Sequence, residues 1–196
     1  MLRIAGFILT LLFVTLAACG ESPFELDDIT GVNYGHDFVL TDHNGKPRTL
    51  ADFRGKVVAL YFGYVHCPDY CPTTLADLAD TARRLGPDAN RFQVLFVTVD
   101  PERDTPAVLA KFVPSFNPGF LGLYGDAAAT ARVAKEFKIV YQKYPMPNND
   151  YTVDHSVGTF IFGPDGRLRL FAKYGATPQT MAHDVKLLLR DPDSSK

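Results

Sequence analysis

The chain of 196 residues has no tryptophan, only three cysteines, and almost no net charge. Each shortage excludes something. Without Trp there is no Trp/Gln pair of the kind used by a glutathione-peroxidase type of site. Twenty Lys and Arg stand against 22 Asp and Glu, a formal charge of −2, so no basic face for nucleic acid is expected. No repeat or low-complexity tract breaks the chain. No apolar run reaches the roughly 20 residues that a membrane-spanning helix needs. What is present is 46% hydrophobic residues, enough for one domain with a real core.

The first nineteen residues stand apart. "MLRIAGFILTLLFVTLAAC" carries one charge, Arg3, then an apolar run from Ile4 to Leu16, then small residues. That is the layout of a secretory signal. Its end, Leu16-Ala17-Ala18-Cys19, resembles a bacterial lipobox, which implies cleavage before Cys19 and a lipid on that cysteine. We therefore expect a signal over 1–18, a lipidated tether over 19–33, a domain over 34–190 and a polar tail over 191–196. With Cys19 assigned to lipid, Cys67 and Cys71 remain as one pair in an exported, oxidising compartment.

Along the domain, Asn44-Gly45 between short apolar stretches predicts a hairpin. "KVVALY" (56–61) and "RFQVLFVTVD" (91–100) predict buried strands. Between them Leu75, Leu78, Ala79, Ala82 and Leu85 recur at helical spacing, ended by Gly86-Pro87. Thr105-Pro106 and Asp126 open two more helices. "KIVYQKY" alternates as a strand, and "VGTFIFGPDGRLRLFAKY" is two strands joined by a turn at 163–166. Thr177-Pro178 opens a last helix with Met181, Val185, Leu188 and Leu189 on one face. The order predicts an α/β fold with a central mixed sheet flanked by helices and an N-terminal hairpin extension.

The chemistry concentrates in "YFGYVHCPDYCPTTLADL" (61–78), which runs from a strand through two cysteines into a helix. Cys71 is expected just ahead of that helix and Cys67 in the loop entering it. A helix start favours a thiolate, because its free N–H groups and dipole stabilise negative charge. A cysteine pair at a strand-to-helix turn is the layout of a thioredoxin-like fold. The spacing is C-x-x-x-C, wider than the C-x-x-C of a redox dithiol. Two sulfurs so spaced can grip one soft ion, Cu(I) or Zn(II), while a disulfide stays open to them. A buried inert pair, a redox dithiol and a metal clamp are the alternatives. A thiol peroxidase is disfavoured, since P-x-x-x-T-x-x-C is absent.

Two thiolates leave such an ion short of a ligand. His36 and His43 flank the hairpin and are expected to be exposed, and His183 sits on a helix face. His66 adjoins Cys67, but adjacent side chains in extended backbone point apart. His155 precedes the buried strand "SVGTFIF", whose start lies beside the cysteine loop in a thioredoxin-like sheet, so it is the favoured third donor. Met146 is a weaker candidate, more often packing than a ligand. Asp69 and Asp154 adjoin these residues and are expected to tune charge or face a partner. Asp100 is a candidate for support around the site, whereas "VTVDPERDTP" otherwise reads as a loop and helix cap. Gly158, by its position before "TFIF", is expected where thioredoxins carry a cis-proline, leaving room for the His155 ring and a metal.

"YFGYVHCPDYCPTTL", "LFVTVDPERDTP" and "YTVDHSVGTFIFGPDG", in this order, resemble the SCO/SenC family over about residues 34–190. The resemblance implies a membrane-attached, thioredoxin-like copper protein with Cys67, Cys71 and His155 as metal ligands. It implies a copper ion, Cu(I) or Cu(II), as cargo for the CuA site of cytochrome c oxidase subunit II. It also implies copper chaperones or thiol reductants as further partners, and a lipid-anchored position on the periplasmic side of the bacterial cell membrane. The competing function is a periplasmic thiol-disulfide oxidoreductase using Cys67 and Cys71. His155 separates the two, because a dithiol enzyme does not need it.

Overall fold

The computed structural model describes residues 22–190. The expected signal, Cys19 and the tail 191–196 lie outside the described residues. A short strand, β1 (Asp27–Asp28), precedes the hairpin β2 (Leu40–Asp42) and β3 (Pro47–Arg48). Gly45 turns that hairpin at φ +84°, a left-handed value open to Gly. Buried Asp42 locks the turn by accepting from the N–H groups of Asn44 and Lys46 and from Arg48.

Next come β4 (Val57–Gly63), α1 (Tyr70–Arg84), β5 (Phe92–Thr98) and α2 (Pro106–Phe112). They are followed by β6 (Leu121–Tyr124), α3 (Ala127–Glu136), β7 (Tyr141–Met146) and β8 (Asp150–His155). β9 (Thr159–Phe162), β10 (Leu168–Ala172) and α4 (Pro178–Arg190) complete the described residues. The starts of α2, α3 and α4 are the expected ones. Thr105 accepts from Val108 N–H, Asp126 from Ala129 N–H and Thr177 from Thr180 N–H, each cap contributing about 1 kcal/mol.

The main sheet has the order β1-β10-β9-β4-β5-β6-β2-β3. β4, β5 and β6 run parallel, while β9 and β10 run antiparallel to their neighbours. β4 and β5 are buried along their whole length, which is why their sequences are unbroken apolar runs. Alternation sends successive side chains to opposite faces. Tyr61 thus turns toward Phe96 and His155, and Phe62 toward Phe137 and Phe160. Leu75, Leu78 and Val185 are fully buried as α1 packs against α4, each Leu stabilising by roughly 1.5–3 kcal/mol. This is the expected thioredoxin-like mixed sheet, flanked by helices and extended by an N-terminal hairpin.

Four features differ from the sequence expectation. β6 was not expected, because Gly122 and Gly125 interrupt its apolar pattern. The residues of "KIVYQKY" from Tyr141 onward form β7, which pairs only with β8 as a separate two-stranded hairpin, exposed along most of its length. Its alternation therefore does not report a place in the main sheet. The segment placed in the tether also belongs to the fold from Phe24 onward. Leu26 is buried, β1 pairs with β10, and Asp184 accepts from the N–H groups of Glu25 and Leu26.

The fourth correction concerns Gly158. Among the described residues there is no cis peptide bond, and Gly158 sits at φ +144°. A Cβ there would lie 2.1 Å from Phe171 Cζ. The space it leaves belongs to the Phe171 ring, not to the His155 ring.

Candidate metal centre

β4 ends at Gly63, and the chain turns through Tyr64–Asp69 into α1. Cys67 N–H donates to Tyr64 O at 3.2 Å, which folds the loop back on the strand end. Cys67 lies in this loop as expected. Cys71 is in the first turn of α1, one residue inside the helix and not ahead of it. It is fully buried, and Cys67 is nearly so. Both thiols are free.

β8 brings His155 onto this pair. The Cys67, Cys71 and His155 donor atoms all lie within 4.8 Å of one another. Cys71 Sγ is 3.7 Å from His155 Nε2. Three donors around one ion, at bonds of roughly 2.0–2.3 Å, stand about 3.5–4 Å apart. The donor set is therefore already close to the span of a three-coordinate site. His155 is oriented by the backbone of the next residue. Nδ1 sits 2.9 Å from Ser156 O, which only accepts, so Nδ1 donates there and the Nε2 edge of the ring faces the cysteines.

Electrostatics divide the two thiols. The Cys67 thiol is held far below its ordinary value, at about 4. The hydrogen bond from Cys71 is the main cause. Burial opposes it, and the His155 ring and the N–H groups of Cys71 and Asp69 assist. Cys71 is pushed up, first because it donates to Cys67 and then because it is buried. Tyr61 Oη also donates to Cys71 Sγ at 3.5 Å. The arrangement is one thiolate, one thiol and one imidazole, a donor set suited to a soft cation.

The other expected residues fall into place around this centre. His66 is half exposed, with Nδ1 4.0 Å from buried Asp104. His36 pairs with Glu136 on the surface, and His183 with Asp184. His43 was expected to be exposed. It is half-buried instead, its Nδ1 accepting from the N–H of Gly122 in the unforeseen strand β6. Met146 pairs with Asp150 at the turn end of the β7–β8 hairpin, whereas His155 pairs with Tyr141 at the other end. The five-residue separation is roughly 17 Å, so Met146 is not a donor here. Asp69 and Asp154 line a groove of about 680 Å³ that also exposes Cys67 and His155.

Two residues at the site were not foreseen. Gly63 is one: a Cβ there would stand 2.7 Å from Cys71 Sγ. Tyr64 is the other. Its ring meets His155 edge-on at 5.9 Å, and its hydroxyl pairs with Thr152 of β8 at 2.9 Å. Gly at a strand end and Tyr in an apolar run carry no signal of such roles.

The chain matches the family model described as SCO1/SenC over residues 27–190. It is 46% identical over 141 residues to the protein SCO2 homolog, mitochondrial, of Bos taurus, covering 70% of this chain and 52% of that one. The chain spans about half the length of the first curated relatives it matches. Among solved structures it is similar to Bradyrhizobium japonicum ScoI, solved with copper bound. The TM-score is 0.74 at 39% identity, covering 79% of this chain and 99% of that one. It is also similar to BsSco, described as having a disulfide switch and as a member of the Sco family of cytochrome c oxidase assembly proteins. There the TM-score is 0.65 at 25% identity, covering 84% and 97%. By the extent of the family match and by these likenesses, the chain belongs to the SCO1/SenC family.

Proposed function

We propose that this protein carries one copper ion between Cys67, Cys71 and His155 and delivers it during cytochrome c oxidase assembly, to the CuA site of subunit II. The observation that carries the reading is the convergence of two thiols and one imidazole within 4.8 Å. Thiolate and imidazole suit copper, and two sulfurs favour the Cu(I) state. Copper is cargo here. The groove that exposes Cys67 and His155 gives an acceptor's ligands a route to the ion, while Cys71 holds it from beneath. Other copper chaperones would load the site by the same route. In this reading Cys19 carries lipid and holds the protein on the periplasmic side of the cell membrane.

Anaerobic titration of the reduced protein tests this, with one equivalent of copper expected. Cys67→Ser or Cys71→Ser removes most of the affinity, since a hydroxyl replaces a thiolate. His155→Ala weakens Cu(II) more than Cu(I), because two thiolates alone hold Cu(I) in near-linear geometry. Stoichiometric tight binding by the double cysteine variant would refute the reading.

The second reading is a thiol-disulfide oxidoreductase, favoured by the unequal thiols. The Cys67 thiolate attacks a partner disulfide and forms a mixed disulfide. Cys71 then displaces the partner as its dithiol, leaving a Cys67–Cys71 disulfide for a thiol reductant to reopen. His155→Ala decides between the readings: full oxidase assembly in copper-limited cells carrying it favours the oxidoreductase.

A further inference from the structure

The β7–β8 hairpin carries the third donor, yet it hydrogen-bonds to no strand of the main sheet. Val153 is its one wholly buried residue. A two-stranded hairpin is marginal by itself in water. Something else must therefore hold His155 over the cysteines. The contacts come largely from residues 100–104, the centre of the motif "VTVDPERDTP" that the sequence reads as a loop and cap.

Arg103 is the hub. Its Nη1 donates to Tyr151 O at 2.7 Å and to Asp150 Oδ1 at 2.9 Å, both on β8. Its Nε donates to buried Asp100 Oδ2 at 2.6 Å. Its guanidinium carbon stands 3.6 Å from the centre of the Tyr151 ring and 5.8 Å from that of Tyr64. Tyr64 is the residue whose ring edge meets His155. Tyr151 Oη closes the circuit onto Asp100 Oδ1 at 2.7 Å. Lys143 of β7 pairs with Glu102 at 2.7 Å. The neighbouring residue, Asp104, faces the other half of the site. Its buried carboxylate accepts from Thr98 Oγ1 at 2.6 Å and from Val65 N–H at 3.0 Å, in the loop that leads to Cys67.

One short segment thus grips the histidine hairpin with Arg103 and Asp100, and the cysteine loop with Asp104. Arg103 Nη2 is buried without a hydrogen-bond partner, which is costly to folding. An ion pair serving stability alone has no need of that burial. A planar fork over the Tyr151 ring is what stacking and multiple donation require, and a lysine cannot supply it.

We infer that Arg103, with Tyr151 and Asp100, is a positioning device for the metal centre, setting His155 against Cys67 and Cys71. The inference rests on the copper reading for its metal arm only. Hydrogen exchange on the metal-free reduced protein forms the other arm. In Arg103→Lys and in Tyr151→Phe, amides of residues 152–155 should exchange at least tenfold faster, while those of β4 and β5 stay unchanged. With Cu(II), each variant should lose at least tenfold in affinity and most of the thiolate-to-Cu(II) visible band. Cu(I) affinity should stay within about threefold of the unsubstituted protein. Arg103→Lys added to His155→Ala should weaken Cu(II) no further than His155→Ala alone.

Unchanged exchange at 152–155 in both variants overturns the inference. So does an equal loss of Cu(I) and Cu(II), the mark of a general folding defect. Should Arg103→Lys not fold, Tyr151→Phe decides, since it removes one hydroxyl and keeps the stack. Should His155→Ala keep the visible band, the copper reading of His155 fails, and the exchange arm still decides the brace.

Discussion

Cys71 Sγ and His155 Nε2 lie 3.7 Å apart, although 84 residues separate them in sequence. Cys71 is placed by the first turn of α1, and His155 by a hairpin outside the main sheet. The centre is therefore an agreement between two separately held parts. It is sensitive to changes that move either part without touching a donor atom.

Gly63 is the first such position. Its missing Cβ leaves room for Cys71 Sγ, which would otherwise stand 2.7 Å away, with Phe96 Cε2 at 2.9 Å. Gly63→Ala should destabilise by about 1–3 kcal/mol through overpacking. It should also displace the Cys71 sulfur and lower copper affinity at least tenfold. Thermal denaturation and anaerobic titration of the same variant check both effects. Unchanged affinity would mean that the sulfur does not depend on this space.

Gly158 tests the packing beside His155. At φ +144° and 2.1 Å from Phe171 Cζ, a Cβ is excluded by both backbone and ring. Gly158→Ala should lose roughly 3 kcal/mol or more. Phe171→Ala in the same chain should recover part of the loss by clearing the ring. Without such recovery, backbone strain alone accounts for the glycine.

The parts of this site differ in how openly the sequence declares them. Cys67 and Cys71 are legible because a local rule applies: thiols at a strand-to-helix turn meet the free N–H groups of a helix. His155 is legible from its place before an apolar strand, once a sheet is assumed. Arg103 is not, because its partners Tyr151 and Asp150 lie 47 or more residues away. Polar residues between a strand and a helix look like any loop. β8 escaped for a related reason. It has no buried face of its own, so no alternation of period two announces it. Gly63 and Gly158 are silent because a glycine's role is set by the neighbour that fills its empty side.

The N-terminal segment yields a third prediction. Asp184 is fully buried and accepts from the N–H groups of Glu25 and Leu26. It clamps the segment onto α4. Asp184→Ala should cost about 1–3 kcal/mol and release residues 24–28. Hydrogen exchange at 25–28 should then rise more than tenfold, with β4 and β5 protected as before. Equal exchange in the variant would show that β1 pairing alone holds the segment.

The last prediction concerns pH, and its sign follows from the two thiols. Folding holds the Cys67 thiol at about 4 and pushes Cys71 above the ordinary thiol value of 9.0. Between about pH 4 and 9 the unfolded chain binds a proton at residue 67 that the folded chain does not. Stability from this group therefore rises with pH, is complete above about 9, and is lost as pH falls toward 4. Cys71 acts oppositely. Above about pH 9 the unfolded chain releases a proton that the folded chain keeps, so stability falls there. The reduced protein, compared with its Cys67→Ala, Cys71→Ala variant, should thus show its greatest relative stability near pH 9. Urea denaturation at pH 5, 7, 9 and 10.5 measures this difference. Alkylation gives a second readout: iodoacetamide should modify Cys67 first, at a rate almost flat from pH 9 to 6. A tenfold fall per pH unit below pH 9, as for an ordinary thiol, would show that the hydrogen bond from Cys71 does not hold Cys67 as a thiolate.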